Sequence, residues 1–200
     1  MLFRSPADTG SATPAPNVFS FWPKLSPEIK RVVLLPLASD PQRADLIDGC
    51  AILQPIVTAE LTKTRRFEVI PANSDVLCVR TGSDSWTGAE VLPDNFLAGL
   101  REVYGCDAVL FCQLTEFRSY SPLAVGWRMR LVEVQSRRTL WAADEDFDAG
   151  NPAVLSEAAH YQSAHQAPDF QPPGDWPISS SPRRFAQYAA AQVLATLPDR

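Results

Sequence analysis

Arg31 to Leu37 (RVVLLPL) is a nearly continuous apolar run, the pattern of a strand buried on both faces and so central in its sheet. Asp40-Pro41 follows, a capping residue with proline placed for the first helical turn. The predicted helix runs to about Lys63, with its apolar stripe at Leu46, Cys50, Leu53, Val57 and Leu61. Pro55 lies inside it and predicts a kink. Arg66 to Pro71 (RFEVIP) alternates as a half-buried strand does. A short helix is expected near Asp75 and a longer one from about Pro93 to Tyr104. The inner face of the longer helix is read as Phe96, Leu97, Leu100, Val103 and Tyr104, and Gly105 ends it. Cys106 to Tyr120 is a third strand.

A hairpin comes next. Leu123 to Val134 forms one arm, Gln135 to Arg138 the turn, and Thr139 to Asp148 the return. Trp127, Met129 and Leu131 share one face of the first arm; Trp141, Ala143 and Phe147 share one face of the second. A one-residue slip would turn a whole arm outward, so the two apolar faces must coincide. Arg128 and Arg130 then lie opposite Asp144 and Asp146, which predicts cross-strand charge pairs. Asn151-Pro152 opens a helix through about Gln162, a Pro-rich loop occupies 163–181, and Ser181-Pro182 caps a last helix with the stripe Phe185, Ala189, Val193 and Leu197. The fold class is therefore α/β (α+β mixed). It is a single mixed parallel/antiparallel sheet of about five strands packed with helices, with a C-terminal hairpin and terminal helix. Residues 29–200 read as one domain. Residues 1–28 read as a disordered Pro/Ser/Ala-rich arm whose aromatics Phe19, Phe21 and Trp22 either pack back or dock a partner.

Composition narrows the function. The chain has 200 residues, 46% hydrophobic and 20% charged, enough for a packed core. A net charge of −5 without a basic block argues against nucleic-acid binding, which draws on phosphate neutralisation. No run reaches the ~18 apolar residues of a membrane span. Met1-Leu2-Phe3-Arg4 leads straight into Ser, Pro and Ala, so a secretory leader is not expected within this sequence. Read literally, that predicts a cytoplasmic protein, and a lipid anchor requires an upstream leader. Cys50, Cys78, Cys106 and Cys112 show no zinc spacing and read as buried small hydrophobes, with one disulfide as the alternative for an exported protein.

Catalytic patterns are absent. His160 and His165 border or enter the Pro-rich segment, where exposed histidines are expected, and no GxSxG, GxGxxG or Walker A motif occurs. Asp144, Glu145, Asp146 and Asp148 form an acidic run, but on a strand Glu145 points away from the other three, so no metal site is expected. No cofactor is implied. The partner-binding candidates are Phe21 and Trp22, as isolated aromatics, and Arg183 with Arg184, cations placed against the helix dipole. The alternative is a cytosolic small-ligand-binding protein or enzyme with a pocket near Trp86, Trp127 or Trp141. Self-association through an edge strand is compatible with the pattern.

Several of these segments together resemble a known family. They are Pro36 closing the first strand; Phe67, Val69 and Ile70; Asp107 to Leu110; Arg130, Leu131, Val132 and Val134; and Leu140 with Trp141. The arrangement, from about Arg31 to Asp148, is similar to the anticodon-binding-like α/β domain of the TolB amino-terminal domain, CsgG and related bacterial envelope lipoproteins. Glu133 stands where that family has aspartate, and Ser136-Arg137 where it has a Thr-Gly turn. The resemblance implies a non-catalytic envelope accessory protein, periplasmic or outer-membrane associated, that docks to envelope proteins of a larger assembly. Long amphipathic β-hairpins of the kind that line a pore are not seen, so a CsgG-like channel is not expected.

Overall fold

A computed structural model describes residues 17–165 and 177–200. Its elements are β1 (Val18–Ser20), β2 (Arg31–Leu34), α1 (Ala44–Lys63), β3 (Glu68–Pro71), α2 (Ser74–Thr81), α3 (Phe96–Tyr104), β4 (Ala108–Arg118), β5 (Ala124–Glu133), β6 (Thr139–Asp148), α4 (Pro152–His165) and α5 (Pro182–Ala195). The six strands form one sheet in the order β1-β6-β5-β4-β2-β3. β2 is parallel to both β3 and β4, whereas β4, β5, β6 and β1 pair antiparallel. The expected α/β class with a mixed sheet holds, with six strands in place of about five.

The additional strand corrects the N-terminal expectation. Residues 17–28 were read as part of a disordered arm, yet Val18, Phe19 and Ser20 pair with Ala143, Ala142 and Trp141. Further along, Leu25 N donates to Asp199 O at 2.7 Å, and Leu25 and Ile29 are buried. Three residues carry too little periodicity to announce a strand, and the pairing depends on the partner edge of β6. Residues 1–16 of the arm, and most of the Pro-rich loop, lie outside the described residues.

Two apolar layers sandwich the sheet. On one side α1, α4 and α5 cover Val32, Leu34, Leu110, Leu114, Trp127 and Trp141. On the other, α2 and α3 cover Val33, Leu35, Val109, Phe111 and Val132. β2 feeds both cores, which is why its sequence is apolar without alternation. The two faces of the hairpin coincide as expected: Trp127, Met129, Leu131, Trp141 and Ala143 are all buried in the first core, and Phe147 packs against it.

Local chemistry explains the family-like motif residues. Asp107 Oδ2 accepts hydrogen bonds from Lys30 N (2.9 Å) and Arg31 N (3.0 Å), which ties the start of β2 to the start of β4. Arg130 Nε donates to Thr139 Oγ1 at 2.8 Å, and its Nη1 donates to the Gly88 carbonyl. Trp141 Nε1 donates to Thr196 Oγ1 at 3.1 Å, so a core indole locks the end of α5 to the sheet.

Some boundaries and faces differ from expectation. α1 begins at Ala44 because Asp40 uses its side chain in a turn: Asp40 Oδ1 accepts from Gln42 N (2.9 Å) and Asp40 O from Arg43 N (3.0 Å). Val103 is 37% exposed, at the margin of the α3 face that Phe96, Leu97, Leu100 and Tyr104 turn to the second core. Cys106 and Cys112 are buried and Cys50 half-buried, but Cys78 is exposed on α2. α2 buries a single residue, Leu77, so its other faces meet solvent.

Candidate docking surface

β1 is an edge strand, and its side chains alternate between the two faces of the sheet. Val18 packs towards the larger core, whereas Phe19 points to the opposite sheet face, over which α2 and α3 do not extend. Phe19, Phe21 and Trp22 are 50%, 40% and 57% exposed. Phe21 and Trp22 meet edge to face, with ring centroids 4.9 Å apart, and the Arg138 guanidinium lies 5.5 Å from the Phe21 centroid. Ser20 Oγ donates to Trp22 O at 2.6 Å and holds the turn that presents these rings. Three large aromatic side chains in one short exposed segment form the kind of patch that partners bury.

Hydrogen bonding fixes how the strand sits. Asp144 N donates to Asn17 O (3.1 Å) and Phe21 N to Leu140 O (2.9 Å), so Asn17, Phe19 and Phe21 turn their backbone groups inward to β6. Val18 and Ser20 then turn theirs outward, and among the described residues nothing pairs with them. The far edge of the sheet is different. In β3 Glu68 and Ala72 bond to β2, which leaves Val69 and Pro71 on the outside, and Pro71 has no N–H to offer. One edge is blunted and the other open.

Beside β1 the uncovered sheet face carries charge. Arg128 Nε donates to Asp144 Oδ2 at 2.7 Å, and Arg118 Nη2 to Asp148 Oδ2 at 2.9 Å. The expected second pair of Arg130 with Asp146 does not form. Arg130 lies opposite Ala142 and bonds to Thr139 and Gly88, while Asp146 lies opposite Gly126, with Thr115 Oγ1 3.5 Å away. Gly126 leaves room there: a Cβ would come 2.2 Å from Asp146 Oδ1, 2.3 Å from Thr115 Oγ1 and 3.0 Å from the Glu116 backbone nitrogen. A shallow groove of about 370 Å³ runs between Phe19, Phe111, Ala142 and the Arg128–Asp144 pair. Glu145 points to the other face, as its strand position requires, and accepts a hydrogen bond from Asn17 N at the start of β1. Burial holds its carboxyl above the ordinary glutamate range, with Asp144 and Asp146 adding to the effect and the Asn17 N–H opposing it.

The four partner-binding candidates do not converge. Phe21 and Trp22 precede Lys24, whose backbone makes a parallel β-bridge with that of Asp199 just beyond the end of α5. Arg183 and Arg184 occupy the opposite end of that 14-residue helix, about 20 Å away at ~1.5 Å per residue. Both arginines are exposed, and neither has an ion-pair partner among the described residues. Ser181 Oγ accepts from Arg184 N at 3.5 Å, so the helix start is capped. Phe19, the third exposed aromatic, was grouped with the arm; its contribution depends on β1 pairing, which sequence periodicity does not show.

Residues considered for catalysis are dispersed. His160 and His165 are exposed on α4 rather than in a loop, and His165 stacks on Tyr161 with centroids 4.1 Å apart. Among the described residues no group of three His, Cys, Asp or Glu side chains is placed to hold a metal ion. Trp127 and Trp141 are fully buried in the main core, and Trp86 packs edge to face on Phe96 at 5.1 Å. No described helix is long and apolar enough to cross a membrane.

No protein-family model matches the sequence. No curated protein matches it. Among solved structures the chain is similar to the PelC dodecamer from Paraburkholderia phytofirmans. The TM-score is 0.55 at 16% identity, covering 93% of this chain and 99% of that one. Further matches are lipoprotein GNA1162 from Neisseria meningitidis (TM-score 0.43, 18% identity, 68% of this chain and 99% of that one) and the LpoB C-terminal domain from Salmonella enterica (0.39, 12%, 59% and 82%). None of these three is a TolB or CsgG domain. At this identity the PelC likeness establishes the fold, and fold alone does not assign activity.

Proposed function

We propose that this protein is a non-catalytic accessory protein of the bacterial cell envelope, periplasmic or outer-membrane associated, that works by docking to other proteins of a larger assembly. The observation that carries the reading is the aromatic corner at the open sheet edge, where Phe19, Phe21 and Trp22 stand exposed beside the unpaired backbone of β1. Burying exposed aromatic rings supplies much of the energy at protein interfaces, and an open strand edge supplies directional hydrogen bonds. Two further observations support it. The motif residues around Pro36, Asp107 and Trp141 resemble those of envelope lipoproteins. A protein of the same fold, PelC, is a dodecamer, which supports assembly as a use of this fold.

The test is fractionation of the native gene product after crosslinking in intact cells, for the wild type and for a Phe21→Ala/Trp22→Ala variant. The expected result is an envelope-fraction product whose crosslinked species are lost in the variant, with folded protein still present. A product confined to the cytosol, or crosslinks that persist unchanged in the variant, would overturn the reading. Intact mass on the same sample distinguishes a lipidated or processed product from one that starts at Met1.

A further inference from the structure

We propose that the partner of the β1 edge is a second copy of this chain, paired antiparallel through β1 about a two-fold axis at Phe19. The inference rests on the reading of β1 as a docking edge, and not on the envelope location.

The outward backbone groups make the edge self-complementary. Val18 and Ser20 are the residues whose N–H and C=O face away from β6. In an antiparallel pair of two such edges, Val18 of one copy exchanges both hydrogen bonds with Ser20 of the other, and the reverse exchange follows by symmetry. Phe19 then lies on the axis, opposite its own equivalent, in the closer, non-hydrogen-bonded kind of pair. Both Phe19 rings fall on the same uncovered sheet face, where each is half exposed in the single chain. An aromatic pair across strands is a favourable contact at this spacing.

Charge selects the same orientation. Arg138 and Lys24 lie at the Phe21 end of β1; at the Asn17 end Asp144, Glu145 and Asp146 outnumber the one arginine there, Arg128, which is paired with Asp144. Antiparallel pairing brings the basic end of each copy to the acidic end of the other, whereas parallel pairing would set like beside like. The opposite edge cannot serve equally, because Pro71 removes an outward donor from β3. The contact spans three residues per copy, so a concentration-dependent equilibrium of one and two chains is expected rather than a permanent dimer.

The experiment combines sedimentation of the full chain with site-directed disulfide trapping in a Cys78→Ser background, using copper-phenanthroline as oxidant. Across the axis the Cα atoms of a non-hydrogen-bonded pair are about 4.5 Å apart, within disulfide reach. Phe19→Cys is therefore expected to give a covalent dimer. Phe21→Cys is expected to give none, because the two copies of position 21 would be about 13 Å apart at ~3.3 Å per residue. Ser20→Pro removes one outward N–H while leaving the inward bonds of Phe19 and Phe21, and should abolish the mass increase with concentration. A chain that stays monomeric at high concentration, or that crosslinks equally through both cysteine positions, would overturn the pairing. If self-pairing fails while Phe21→Ala/Trp22→Ala still abolishes the crosslinks in cells, the edge binds a different protein and the docking reading stands.

Discussion

Gly49 of α1 and Phe117 of β4 approach so closely that a Cβ on the glycine would lie 2.8 Å from Phe117 Cδ1, and also 2.8 Å from Leu114 Cδ2 on the same strand. The helix reaches the sheet here only because that position has no side chain.

Two opposite outcomes follow for two helical glycines. Gly99 of α3 has no atom within 4 Å of where its Cβ would be. Gly99→Ala is expected to stabilise by up to about 1 kcal/mol through helix propensity. Gly49→Ala gains the same propensity but meets an overpacking cost of about 1–3 kcal/mol, so a net loss of roughly 1 kcal/mol is expected. Urea midpoints at constant slope would check both. Stabilisation by both alanines would show that α1 moves off the sheet freely.

The Arg128–Asp144 pair is close, at 2.7 Å, but its side chains are 49% and 37% exposed. Solvent screening should hold its coupling to about 0.2–1 kcal/mol in a double-mutant cycle, decreasing with added salt. A coupling that ignores salt would show that the groove beside it excludes water.

Thiol reactivity should separate exposed Cys78 from buried Cys106 and Cys112. Burial pushes Cys106 up to about 11 and raises Cys112 further, while Cys78 is exposed on α2. In the folded protein Cys78 is expected to react with a disulfide reagent first, and Cys106 and Cys112 only after denaturation. Fast labelling of Cys112 under native conditions would mean that the central strand opens locally.

Glu145 gives a pH signature. Its carboxyl titrates above its unfolded value, so the folded state holds the proton more tightly. Its contribution to stability is full below the unfolded pKa and is lost as pH rises through the folded one. Glu145→Gln keeps an acceptor for Asn17 N without the charge. The variant is expected to be more stable than wild type at neutral pH, with the difference vanishing as pH falls to about 4, the ordinary glutamate range. Chemical denaturation of both proteins across that range would measure the difference. A constant difference at every pH would assign the effect to packing.

The helices were legible where their stripes were long. Phe185, Ala189, Val193 and Leu197 are all buried as their spacing requires, and Gly105 ends α3 in the left-handed conformation. Leu77 alone anchors α2, so its sequence showed only that a turn of helix starts near Asp75, where Asn73 Oδ1 accepts from Asp75 N and Val76 N. The candidate site was half legible. Phe21 and Trp22 stood out as isolated aromatics, but Phe19 gained its place from pairing with Ala142 on a distant strand. Arg183 and Arg184 stand out as cations placed against the helix dipole, and α5 separates them in space from the aromatic corner.

Periodicity by itself determined the mixed sheet, the double burial of the first long strand and the coincident faces of the hairpin. Each follows from alternation or its absence, and a one-residue register slip would turn the arm that carries Trp127 or the arm that carries Trp141 outward. Tertiary structure decided which edges stay open. Val18–Ser20 becomes a strand only because β6 offers it Asp144 N and Leu140 O, and Arg130 turns to Gly88 only because the segment before α3 crosses its face. Such pairings join residues more than 40 positions apart. Hydrogen bonds of that range depend on where the sheet brings the chain back, and no local pattern of apolar and polar residues records it.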